Sequence, residues 1–133
     1  MNLQHKSEWK ELVTLSHKNN LTLDNTIFLL DLREVEDGKE GNEFGIKEVK
    51  GTDLKTQALW AIGSILKNER RWQEYIRKNG RIEFIDFFAN YGGPYGTGWH
   101  SQNKSEWVEK MKYFITEIKK EIENGLSGID NVG

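Results

Sequence analysis

Residues 53–91 read DLKTQALWAIGSILKNERRWQEYIRKNGRIEFIDFFANY. Their reading decides the fold. Asp53 is a good helix cap and places negative charge at a helix start. Behind it Leu54, Ala58, Leu59, Trp60, Ala61, Ile62, Ile65 and Leu66 leave little polar face. A helix without a polar face has to be covered on every side. The spacing therefore predicts a central, fully buried helix. Ala58, Ala61 and Gly63 are small, so neighbouring helices are expected to approach it closely. A second, amphipathic helix follows, with Trp72, Tyr75 and Ile76 on one side and Arg70, Arg71, Arg77 and Lys78 among its basic residues. Asn79-Gly80 stops it, because glycine takes a positive φ without cost. Ile82, Ile85, Phe88 and Ala89 then fit a period of 3.6 and predict a short aromatic helix.

Outward from this stretch the pattern stays helical. Trp9, Leu12, Val13 and Ser16 mark one buried stripe of a helix near 6–18. A second element at Thr26–Glu34, capped by Asp24, contains the run IFLLDL. Read as a helix it leaves a loop of about 16 residues, longer than usual. Read as a strand it would pair with 44–50 in a hairpin over 26–50. The clearest amphipathic helix lies near 105–124, with Trp107, Val108, Met111, Phe114, Ile115, Ile118 and Ile122 on one stripe. The fold expected is all-α, a compact bundle of five or six helices; α+β with the 26–50 hairpin is the alternative. Residues 1–124 are expected to form one domain and 125–133 a flexible tail.

At 133 residues, with no cysteine, the chain can bury one core without disulfides or thiolate-bound metal. The start, MNLQHKSEWKELV, lacks the apolar stretch of a signal peptide, and no segment approaches the roughly 20 apolar residues of a membrane span. A cytoplasmic protein is expected. Its 19 basic and 21 acidic residues nearly balance, which argues against nucleic acid as the partner. Arg70, Arg71 and Arg81 around Trp72 are diluted by Glu69, Glu74 and Glu83. The acidic cluster at 31–43 is uneven enough to steer a basic partner, through Glu34, Glu36, Asp37, Glu40 and Glu43.

Signs of chemistry are sparse. His5, His17 and His100 have no metal-ligand spacing, so neither metal nor cofactor is expected. There is no GxSxG and no cysteine nucleophile. Asp31 and Asp86 sit inside apolar runs, where a carboxyl pKa can rise. The loop Gly92-Gly93-Pro94-Tyr95-Gly96-Thr97-Gly98-Trp99-His100 is the best candidate site. It lacks the lysine of a phosphate loop. Its aromatic and glycine content suits adaptable protein recognition, with Tyr91, Tyr95, Trp99 and His100 as anchors.

The stretch 54–88 resembles an armadillo or HEAT-type repeat. The likeness is carried by Ala58-Leu59-Trp60-Ala61-Ile62-Gly63-Ser64-Ile65, by Gln73, Tyr75-Ile76 and Asn79-Gly80, and by Ile82 with the Phe84–Phe88 run. It implies a central helical hairpin. Small intracellular proteins with such helices are also similar to immunity proteins of bacterial toxin systems. The resemblance implies a non-catalytic inhibitor or immunity-type protein that binds a toxin or enzyme. A phage or mobile-element protein that blocks a host defence factor is one alternative. A small enzyme using Asp31, Asp86 or His100 beside the glycine loop is another.

Overall fold

A computed structural model describes residues 2–92 and 104–125. Five helices make up the fold: α1 (Trp9–Lys18), α2 (Leu23–Glu36), α3 (Leu54–Asn79), α4 (Phe84–Tyr91) and α5 (Lys104–Glu123). Single turns of 3-10 helix at Lys6–Glu8 and Lys47–Val49 supplement them. No strand occurs among the described residues, so 26–50 is a helix followed by a loop and not a hairpin.

The central helix is α2, not the start of α3. Ten consecutive residues, Asn25 to Glu34, are buried, and α2 packs against α1, α3 and, most extensively, α5. The sequence hides this because the buried run contains Asn25, Thr26, Asp31, Arg33 and Glu34. Most of these polar groups are bonded internally. Thr26 Oγ1 donates to the Thr22 carbonyl (2.9 Å) and Asn25 Nδ2 to Glu69 Oε2 (2.6 Å). Arg33 donates two bonds to the carboxylate of Glu8 (2.6 and 3.2 Å). The cap of α2 is Thr22, whose hydroxyl accepts from the Asn25 amide (3.2 Å); the expected cap, Asp24, sits in the first turn instead. Ahead of it α1 ends in a Schellman closure. Asn20 takes a φ of 60°, Leu21 N donates to Ser16 O (3.0 Å) and Asn20 N to His17 O (3.1 Å).

The connection from α2 to α3 is long but internally held. Arg33 Nη1 donates to the carbonyls of Gly38 (3.0 Å) and Glu43 (3.1 Å), and Glu43 Oε1 accepts from the Gly41 amide (2.9 Å). Phe44 is fully buried beneath it. From the other side Gln57 Nε2 donates to the carbonyls of Gly41 and Val49. Gly38 has no alternative, since a Cβ there would lie 1.7 Å from Asn42 O. Backbone groups satisfied in this way give the segment the order that its length alone would deny it.

Residues 54–79 form one helix of 26 residues and not two. Asp53 caps it, accepting from Thr56 N (2.8 Å), and Gly80 ends it with a φ of 95°. The break expected between an apolar and a basic helix is absent because nothing in LKNERRW resists helix; the residues there are good or neutral helix formers. Nor is its first half covered on all sides. Gln57, Ala58, Ala61, Ile62, Ile65 and Asn68 face the core, while Leu59 and Trp60 are 37% and 49% exposed. Gly63 is exposed with open space above it, so no helix among the described residues makes the close approach expected there.

α3 turns back into α4 through Gly80–Glu83, pinned where Trp72 Nε1 donates to Ile82 O (2.8 Å). An aromatic cluster then joins four helices. Phe28 lies 5.0 Å from both Phe84 and Phe88, Trp72 lies 5.4 Å from Phe84, and Trp107 stacks on Phe88. Along α5 Trp107, Met111, Phe114 and Ile118 are buried, with Val108, Ile115 and Ile122 partly so.

Candidate interaction surface

Tyr91, the last residue of α4, is 39% exposed and opens onto a groove of about 490 Å³ between α3 and α4. The floor is aromatic: Tyr75 lies 5.2 Å from Tyr91 and 5.4 Å from Phe87, ring centre to ring centre. The Tyr91 hydroxyl beside it pushes the Tyr75 phenol above its ordinary range. Arg70, Arg71, Glu74, Lys78 and Asn79 complete the lining. The arginines differ in how they are held. Arg71 lies over the Phe87 ring, 5.7 Å from its centre, and donates to the Tyr91 carbonyl (2.6 Å) and to Asn68 Oδ1. Both acceptors are neutral, so its charge is fixed in place and meets no carboxylate among the described residues. Arg70 is exposed and has no ion pair among the described residues. Glu74 is matched by Arg77 and by Lys78 (3.2 Å), and these two cations hold its carboxyl down at about 2. The groove therefore carries net positive charge over an apolar base.

A second, larger concavity of about 740 Å³ adjoins the first across Arg70 and Glu74, lined also by Trp72, Gln73, Ile76, Arg77 and Arg81. Neither concavity includes Asp31 or Asp86. Asp31 is sealed in the core with no hydrogen-bond partner for either oxygen. Burial, reinforced by the nearby Glu34, pushes its pKa well above the usual carboxylate range. Asp86 lies half-buried on α4. Among the described residues no three His, Asp or Glu side chains converge as a metal-binding group.

Of the anchors expected from the glycine loop, Tyr91 is on the surface as described; Tyr95, Trp99 and His100 lie outside the described residues. The acidic residues are mostly turned inward. Glu34 is 5% exposed and accepts from the amides of Gln4 (3.1 Å) and His5 (2.9 Å). Glu43 is 4% exposed and holds its own loop. Glu36 accepts from Trp107 Nε1 (3.0 Å) and Asp37 pairs with His5 Nε2 (2.7 Å). Only Asp37 and Glu40 are fully on the surface. What sequence reasoning missed is the aromatic floor and the role of Arg71. The helical spacing of Arg71 and Tyr75 (i, i+4) was the available signal.

Comparison with protein-family models, with curated proteins and with solved structures finds no match. No helix among the described residues is long and apolar enough to cross a membrane.

Proposed function

We propose that the chain is a non-catalytic protein-binding domain of inhibitor or immunity type, which neutralises a toxin or enzyme in the cytoplasm by covering it. The observation that supports this reading is the groove at Tyr91. A half-exposed tyrosine, an aromatic floor and a pinned arginine are the residue types that dominate binding hot spots. The surface is open and shallow, which suits a protein partner better than an enclosed small molecule. In this reading Tyr91 is joined by Tyr95, Trp99 and His100 as contact anchors, and the exposed Asp37 and Glu40 steer a basic partner. The HEAT-like likeness enters the proposal through the α3–α4 pair, the hairpin now available to it.

The test is affinity capture on the full chain, with the Tyr91→Ala variant alongside. A protein retained by the first, lost from the second, and inhibited by stoichiometric addition of the first supports the reading. Capture of nothing, or of proteins whose activity is unaffected, refutes it.

A further inference from the structure

The described residues leave Leu59, Trp60 and Gly63 on one face of α3 uncovered, and this face is continuous with the Tyr91 groove. At 3.6 residues per turn, Leu59, Trp60, Gly63, Lys67, Arg70, Arg71, Glu74 and Lys78 fall within roughly 120° of arc. From Leu59 to Lys78 the face runs about 28 Å at 1.5 Å per residue. Its first half is apolar, with Leu59 and Trp60 both substantially exposed. Side by side they form a patch, unlike the scattered single residues that every surface carries. Gly63 lies one turn further on. A glycine in mid-helix weakens the helix, and none of the described residues packs within 4 Å of where its Cβ would be. Gly63 leaves a low point between the exposed Trp60 and the cationic end that begins at Lys67, and another helix can approach closely there.

The second half is cationic. Glu74 is already matched by Arg77 and Lys78. Arg70 and Arg71 have no carboxylate partner among the described residues, and Arg71 is oriented by neutral acceptors. A pre-oriented guanidinium whose charge is uncompensated is suited to a carboxylate.

We propose that this face docks an acidic amphipathic helix of a partner protein, with its apolar side on Leu59, Trp60 and Gly63 and its carboxylates on Arg70, Arg71 and Lys78. The inference rests on the reading of the chain as a protein-binding domain and names the chemistry of the segment that is bound, whatever the charge of the rest of the partner. The complementarity is of both kinds, apolar against apolar and negative against positive, along a length that matches about five helical turns. A nucleic acid strand fits less well. It would run its phosphates past Glu74 and past an apolar patch that offers them nothing, on a protein of net charge −2.

The experiment is selection of a random 16-residue peptide library displayed on phage against the full chain. Enriched peptides are expected to be net negative with apolar residues at i, i+3 or i+4 and i+7. The best of them, made synthetically, should bind at least tenfold more weakly to Arg70→Glu and to Trp60→Ala, and more weakly in high salt. Both substitutions are at exposed positions, and circular dichroism checks that the helices are intact. Enrichment of neutral or basic peptides, or unchanged affinity in both variants, overturns the proposal. So does tighter binding of a 15-residue oligo(dT), or sedimentation showing that a second copy, or peptide competition showing that the 93–103 segment, takes this face. A captured, inhibited protein that both variants retain fully overturns the docking face and leaves the protein-binding reading intact. Capture of no protein removes that reading, and the peptide result then decides the face by itself.

Discussion

Replacing Asp31 by Asn should make the protein more stable, and by an amount that grows with pH. The carboxyl is fully buried in α2, and neither oxygen has a hydrogen-bond partner. In the folded chain its pKa lies well above the ordinary 3.8, first because of burial and then because of Glu34. The folded state therefore binds the proton more tightly than the unfolded state does. Between the ordinary carboxyl value and the raised one, unfolding releases a proton, and stability must fall as pH rises, by about 1.4 kcal/mol per pH unit for one group. Below that window the contribution is fully present; above it the loss is complete and constant. Asn has nearly the same shape and does not titrate. Two pH units inside the window amount to about 2.7 kcal/mol, a large share of the roughly 5–15 kcal/mol that holds a domain together. Urea unfolding followed by tryptophan fluorescence at pH 4, 5, 6, 7 and 8 measures it. The two proteins should agree at pH 4 and diverge above it, with similar denaturant slopes. Parallel curves across the range would refute the reasoning, because they would mean that Asp31 has the same proton affinity folded and unfolded.

Four further outcomes test the framework of the fold. Gly63→Ala should stabilise by about 1 kcal/mol, since the helix gains propensity and the new methyl meets open space. Gly38→Ala should lower the melting temperature by several degrees, because its Cβ would collide with the Asn42 carbonyl oxygen. Thr22→Ala should cost about 1 kcal/mol through loss of the α2 cap while Asp24→Ala stays within about 0.5 kcal/mol, and chemical denaturation of the pair decides between the two caps. Glu34→Leu should cost about 1–3 kcal/mol by leaving the Gln4 and His5 amides without their acceptor, with faster hydrogen exchange at His5 as its signature.

Helix positions were legible wherever one stripe was apolar and the opposite face charged. Trp9, Leu12, Val13 and Ser16 in α1, and Trp107, Met111, Phe114 and Ile118 in α5, are buried as their spacing requires. The assignment of the centre failed for a physical reason. Periodicity weighs side chains by their transfer cost, and a polar side chain with internal partners escapes that cost. Arg33 counts as surface in any hydropathy pattern, yet its guanidinium makes four hydrogen bonds, to Glu8, Gly38 and Glu43, and it is 3% exposed. Trp60 errs in the opposite sense. It counts as core, yet the described residues leave it 49% exposed.

The same reasoning changes what the acidic stretch is for. Its charge pattern, read alone, describes a surface. In the fold, Glu34 ties down the N-terminal segment, Glu43 ties the following loop to itself, and Glu36 reaches across to Trp107 on α5. Arg33 and Glu34, adjacent in sequence, thereby gather residues 4–8 and 38–43 around one end of α2. Side chains that hold backbone amides in this way are not available to a partner without unmaking those bonds, and a buried donor left without its acceptor costs more than a surface ion pair returns. Charge with no carboxylate partner among the described residues is instead found on α3, at the exposed Arg70 and the half-buried Arg71, beside the aromatic floor. Around the aromatic groove the better guide to an interaction surface is therefore which charges the described residues leave unmatched, and there, at Arg70 and Arg71, those are cationic.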